Sequence, residues 1–117
     1  MNTLCKRITR EGKARLHKIQ PTGNPLLDVI RRSGVFAKLL GNAARRVESV
    51  DPPVEDQKAV ASWIAGIRHE KRLIERFVRA LKQGQGQTAK GLARRSQRVQ
   101  RATNTKADKL GLTACSG

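Results

Sequence analysis

The sequence predicts an all-α protein that folds as a four-helix bundle with up-down-up-down topology. Apolar residues recur at helical spacing through four segments, and none of these segments alternates apolar and polar residues as a β-strand does. Glycine and proline residues separate the segments, and the short connections place consecutive helices antiparallel. At 117 residues the chain has the length of one domain. We therefore expect a single domain over residues 1–117.

The first helix is predicted over residues 3–19 and the second over residues 25–49. The first ends before Pro21, because proline cannot continue a helix. In the motif TGNP, Asn24 is a suitable N-cap and Pro25 suits the first helical position. These signals set the boundary between the two helices.

The third helix, predicted over residues 53–82, has the clearest apolar stripe in the chain, and Trp63 widens it. The polar segment QGQGQ at 83–87 is a short connection that reverses the chain. The fourth helix, predicted over residues 87–110, carries mostly small residues on its inner side. Gly111 follows it, which is typical of a left-handed C-terminal cap.

The two cysteines, Cys5 and Cys115, stand near opposite ends of the chain. An up-down-up-down bundle brings both ends together, so we expect a disulfide that encloses about 110 residues and restricts the unfolded chain. Persistent disulfides favour an oxidising compartment. The expected location is therefore extracytoplasmic or secreted, after removal of a signal peptide. The alternative is a cytoplasmic protein with two unrelated, reduced cysteines.

Several short motifs also carry a resemblance. They are DPP at 51–53, ASWIAGI at 61–67, ALKQG at 80–84 and KLGLTAC at 109–115, preceded by the basic stretch CKRITREGKARL at 5–16. In these motifs the chain resembles the helical domain of many small exported proteins and lipoproteins of actinobacteria. The resemblance implies a four-helix, disulfide-closed, exported domain, and it implies no agreed biochemical activity.

We expect no enzymatic activity, no metal site and no cofactor. His69 and Glu70 lack the second histidine that a zinc-binding helix requires, and His17 has no partner at ligand spacing. The QGQGQ segment lacks the lysine of a phosphate-binding loop. Trp63 is expected in the core rather than in a ligand pocket. An enzyme whose site the sequence does not reveal is one alternative.

Charge is the main functional signal. The chain has 25 Lys and Arg residues against 9 acidic residues, a formal charge of +16, which indicates an anionic partner. Two basic rows have helical spacing: Arg68, Arg72, Arg76 and Arg79 on the third helix, and Lys90, Arg94, Arg98 and Arg101 on the fourth. Pairing the two helices is expected to place the rows side by side as an anion-binding surface. The alternative is an ordinary solvated surface.

The candidate anions are a cell-envelope polymer, an acidic polysaccharide, nucleic acid and anionic lipid head groups, since arginine binds phosphate and carboxylate bidentately. Our first hypothesis is a non-enzymatic, exported bundle that binds an anionic envelope component. The second is an intracellular nucleic-acid-binding protein without sequence preference, because the chain lacks a helix-turn-helix and has only three aromatic residues. No stretch has the roughly 18 apolar residues of a membrane span.

Overall fold

The computed structural model describes residues 1–116, and these residues form four α-helices and no strand. The helices are α1 (Asn2–His17), α2 (Pro25–Glu48), α3 (Gln57–Lys82) and α4 (Gly86–Lys109). Short 3-10 turns precede α3 at Val54–Asp56 and follow α4 at Thr113–Cys115. Each helix packs against the next along the chain, which confirms the predicted all-α four-helix bundle.

The helix ends differ from the predicted ones mainly at α3. Its regular hydrogen bonding begins at Gln57 rather than at residue 53, because Pro53 has an extended backbone with ψ 147°. The amide of Asp56 donates to the Pro53 carbonyl at 2.9 Å, which closes a tighter turn before the helix. The chain therefore enters α3 through a 3-10 turn.

The predicted caps are present at both positions where the sequence indicated them. The Asn24 side chain accepts a hydrogen bond from the Leu27 amide at 3.2 Å and so caps α2. Gly111 has φ 75°, and the Leu112 amide donates to the Ala107 carbonyl at 2.9 Å. This left-handed cap ends α4 and directs the last residues back toward the rest of the bundle.

The core is organised around α3, which packs against α2 and against α4. Trp63 is 2% exposed, as expected of a core residue, but it also lines a cavity between the helices. Near the chain ends it packs with Val47 of α2 and Ala107 of α4. A second cluster near the α3–α4 turn includes Leu73 and Leu92. The two clusters together cover most of the length of α3.

Helix α1 is held differently from the other three. It packs against α2 and against the turn Thr113–Cys115, but none of its Cα atoms lies within 8 Å of a Cα atom of α4. The structure joins Cys5 and Cys115 in the predicted disulfide, with Cα atoms 5.1 Å apart. The side chain of Asn2 donates to the Gly111 carbonyl at 3.0 Å and accepts from the Ala114 amide at 3.1 Å. Both chain ends therefore lie at the same end of the bundle.

We expect reduction of the disulfide to lower the free energy of unfolding by about 2–4 kcal/mol, because the bond removes conformational freedom from an unfolded loop of nearly the whole chain. Urea unfolding with and without reductant measures the difference. The variant Cys5→Ala, Cys115→Ala should resemble the reduced protein. The mass of two hydrogen atoms gained on reduction first establishes that the bond is present. Equal stability of oxidised and reduced protein would contradict the prediction.

Two helical glycines should respond in opposite ways to replacement by alanine. A Cβ atom at Gly66 would meet Oγ1 of the buried Thr103 and lie only 3.3 Å from its Cβ and Cγ2 atoms, so the Thr103 side chain or the spacing of α3 and α4 would have to change. We expect Gly66→Ala to destabilise the fold by about 1–3 kcal/mol. A Cβ atom at Gly12 would lie 3.6 Å from Leu39 Cδ1, an ordinary contact.

Gly12→Ala is therefore the matched control for Gly66→Ala. Alanine is the better helix former, so this variant should gain up to about 1 kcal/mol. Denaturant unfolding of both variants beside the parent measures the two effects. A stabilised Gly66→Ala would show that α3 and α4 approach each other less closely than the structure indicates.

Candidate functional site

Most residues of the two basic rows lie on the outer sides of α3 and α4. The exposed members are Arg72, Arg76, Arg79, Lys90, Arg94, Arg98 and Arg101. Arg68 is half-buried and pairs with Glu48 of α2 at 2.6 Å. The Arg68 hydrogen bond lowers the pKa of the Glu48 carboxyl from its ordinary value. This pair turns one end of the α3 row toward α2.

The α3 row is divided between two grooves. Arg76 and Arg79 line a groove with Thr88 and Leu92 of α4. Arg68 and Arg72 instead line a groove beside α2. None of the four basic residues of the α4 row lines either groove. The side-by-side arrangement of the two rows stays a prediction.

The groove between α2 and α3 has a cavity volume of about 750 Å³, and we call it the α2–α3 groove. It is lined by Arg15, Lys38, Gly41, Asn42, Arg45, Arg68, Lys71 and Arg72. Six of these eight residues are basic and none is acidic. The groove is thus a concave site of concentrated positive charge, a shape that focuses the field on an anion.

Four of the six cations in the α2–α3 groove have no acidic partner among the described residues. Two form ion pairs: Arg68 with Glu48, and Lys71 with Glu75 at 3.0 Å. In contrast, no ion pair within residues 1–116 involves Lys38 or Arg72. Arg15 and Arg45 also lack an acidic partner there, and Arg45 donates only to the Asn42 side-chain oxygen, at 3.4 Å. These groups can bind phosphate or carboxylate without first breaking an ion pair.

The basic rows predicted from the sequence include Arg68 and Arg72 but not the α2 residues that line this groove. Lys38 and Arg45 are seven residues apart, so they lie on one side of α2. This seven-residue spacing is the feature of the sequence that indicates a basic side on α2. Periodicity alone does not say which neighbouring helix such a side faces, and the packing of α2 on α3 supplies this information.

A second concave site opens between α1 and α4 and reaches the interior of the bundle. We call it the central cavity; its volume is about 330 Å³ and all four helices contribute to its lining. Its apolar lining includes Ile8, Leu16, Phe36, Leu39, Leu40, Val47, Trp63 and Ile67. The cavity exists where α1 and α4 stay apart.

Glu70 of α3 is the one acidic residue that lines the central cavity. It is 5% exposed, and within the described chain it has neither a hydrogen bond nor an ion pair. Within residues 1–116 no fully buried side-chain polar atom lacks a hydrogen-bond partner, so the unbonded Glu70 oxygens retain some exposure, and Glu70 lines the cavity. Burial raises the pKa of this carboxyl to about 7.

Sequence reasoning treated Glu70 only as part of an incomplete zinc motif. Its position carried another signal, because Trp63, Ile67, Glu70 and Ile74 follow the spacing of a continuous buried stripe on α3. An acidic residue within such a stripe indicates a buried carboxylate. The structure places His69, its neighbour, on the exposed side of the helix.

No protein-family model matches this sequence, and neither the curated proteins nor the solved structures gave a match. None of the helices within residues 1–116 has the length and apolar character needed to span a membrane. The same residues contain no group of three or more His, Cys, Asp or Glu side chains placed to hold a metal ion. The α2–α3 groove and the central cavity are the two candidate sites.

The raised pKa of Glu70 predicts how stability depends on pH. Below pH of about 4.5 the carboxyl is neutral in both states. Between about 4.5 and 7 it is protonated when folded and ionised when unfolded, so unfolding releases a proton and stability falls as pH rises. Above pH 7 this loss is complete, on the order of 3 kcal/mol.

Glu70→Gln should remove this pH dependence, since glutamine does not titrate. We expect the variant to be more stable than the parent at pH 8, and the difference to shrink at pH 4. Urea unfolding of both proteins from pH 4 to pH 8 measures it. A stability difference that is the same at both pH values would show that Glu70 titrates normally.

Proposed function

We propose that this chain is a non-enzymatic, exported helical domain that binds an anionic polymer in the α2–α3 groove. The observation that carries the proposal is the lining of that groove, with six basic residues and no acidic one. The disulfide supports export, because such bonds persist in oxidising compartments. The net charge of +16 favours attraction of any polyanion from a distance.

The shape of the α2–α3 groove favours a flexible chain over a rigid duplex. Its volume of about 750 Å³ is within the range of sites that enclose small molecules, so it matches a few units of a polymer. Its arginine side chains suit either phosphate or carboxylate. A duplex would contact mainly the exposed residues at the rim and on α4. A cell-envelope polymer or acidic polysaccharide is therefore the partner that fits best.

The alternative is an intracellular nucleic-acid-binding protein without sequence preference, in which basic residues outside the groove make the main contacts. Phosphate contacts on a duplex require exposed cations over a broad surface. The α4 row, with Lys90, Arg94 and Arg98 exposed on one side of the helix, is such a surface. The two hypotheses therefore predict different contributions from α4.

Two variants with the same change in charge separate these hypotheses. The groove variant carries Lys38→Gln, Arg45→Gln and Arg72→Gln, and the α4 variant carries Lys90→Gln, Arg94→Gln and Arg98→Gln. All six positions are exposed, and glutamine is nearly as good a helix former, so both variants should fold. We expect the groove variant to lose at least about tenfold in affinity for polyphosphate and heparin, because three charge-assisted bonds are removed.

The salt dependence of binding gives the second measurement. For the groove variant, the slope of log affinity against log salt should become shallower by about 2 to 3 units. The α4 variant should change little on polyphosphate and heparin. If instead the α4 variant loses more, and on duplex DNA above all, the nucleic-acid hypothesis is favoured. Parent-like binding by both variants to every polymer would contradict anion binding by these residues.

A further inference from the structure

The central cavity has the features of a binding site for a small molecule. It is continuous with solvent through the opening between α1 and α4, and its volume of about 330 Å³ lies at the lower end of the range for such sites. Side chains such as Ile8, Leu39 and Trp63 make most of its wall apolar. A compact hydrocarbon group would gain from leaving water for this space.

Glu70 supplies the polar part of the site. A buried carboxylate without a partner is costly, and the neighbouring stripe positions of α3 hold isoleucine at 67 and 74. The charge of Glu70 is not needed for packing among these apolar residues. A ligand that brings a positive charge to the carboxylate offsets the cost of its burial.

No other residue that lines the central cavity neutralises the Glu70 carboxylate. The α2 residues that line it are all apolar, and α4 contributes the uncharged Gln100, Thr103 and Asn104. From α1, Lys13 is the one other charged residue of the lining, and it is exposed and forms no ion pair with Glu70. The cavity thus has one unpaired negative group at its inner side, and its walls are mostly apolar.

We propose that the central cavity binds a compact apolar amine, with the hydrocarbon body against Trp63 and Ile67 and the ammonium group paired with Glu70. A carboxylic acid of the same size is excluded by repulsion from Glu70. An alcohol fills the same space and can donate a hydrogen bond to the carboxylate, but it brings no positive charge to pair with it and so binds more weakly. Charge pairing at Glu70 therefore distinguishes the amine from its neutral analogue.

The net positive charge of the protein opposes the approach of any cation. At physiological salt this repulsion is screened beyond about 8 Å, whereas contact with Glu70 occurs at hydrogen-bond distance within the cavity. Added salt should therefore leave amine binding unchanged or strengthen it slightly. Polyanion binding in the α2–α3 groove has the opposite dependence, so the two activities can be measured independently on the same protein.

Cyclohexylmethylamine and cyclohexylmethanol are suitable matched probes, because they differ only in the polar group. Trp63 is the only tryptophan of the chain and lines the cavity, so its fluorescence reports occupancy without a label. Titration at pH 8, where Glu70 is ionised and the amine protonated, should give binding of the amine about tenfold tighter than of the alcohol. Calorimetry in two buffers at pH 6.5 should show proton release on amine binding.

Two variants test whether Glu70 causes the preference for the amine over the alcohol. Glu70→Gln should bind the two probes within about threefold of each other. Glu75→Gln changes the charge equally at an exposed position of the same helix and should keep the tenfold preference. Circular dichroism checks that both variants are helical.

The comparison of the two probes on the parent protein needs no variant. Equal affinity of the parent for amine and alcohol, or no binding of either at millimolar concentration, overturns the proposal. A preference that survives in Glu70→Gln also overturns it. If the amine preference is seen only in Lys13→Gln, then Lys13 already neutralises Glu70 and the natural chain has no amine site.

Discussion

The junction of the two chain ends is the constraint on which the rest of the structure depends. The Cys5–Cys115 disulfide and the two hydrogen bonds of Asn2 attach the beginning of α1 to the turn that follows α4. Along the remainder of its length the backbone of α1 comes close only to that of α2, while side chains such as Ile8 reach the core. Because α1 is fixed at one end rather than packed along α4, the space between them stays open. The central cavity is a consequence of this mode of attachment.

Helix α3 separates two sites of opposite charge. Its outer side directs Arg68 and Arg72 into the α2–α3 groove, while its inner side places Glu70 in the central cavity. The cations at the surface remain hydrated and can exchange partners freely. The single buried carboxylate has lost its water and has no protein partner within the described residues. Helix α3 therefore carries hydrated cations that can change partners on its outer side, and one buried carboxylate without a partner on its inner side.

The four helices and most of their ends could be predicted from the sequence, but the distances between neighbouring helices could not. Helical periodicity, Asn24 and Gly111 are local signals, and each fixes a helix or its end without reference to other segments. The disulfide was also predicted, because four helices in up-down-up-down order place both chain ends at the same end of the bundle. The α2–α3 groove and the opening beside α1 depend on how far neighbouring helices approach each other. That distance is set by particular contacts, such as Gly66 against Thr103, which no periodic pattern contains.

The disulfide also changes what a single cut in the backbone does to the molecule. All three connections between helices lie within the loop that Cys5 and Cys115 close. Exposed connections of this kind are where proteases cleave folded domains. Hydrolysis of one peptide bond there leaves a single covalent molecule, since the two fragments remain tied through the sulfur atoms. The oxidised domain therefore keeps all four helices in one covalent molecule after a single cut, whereas the reduced chain separates into two fragments.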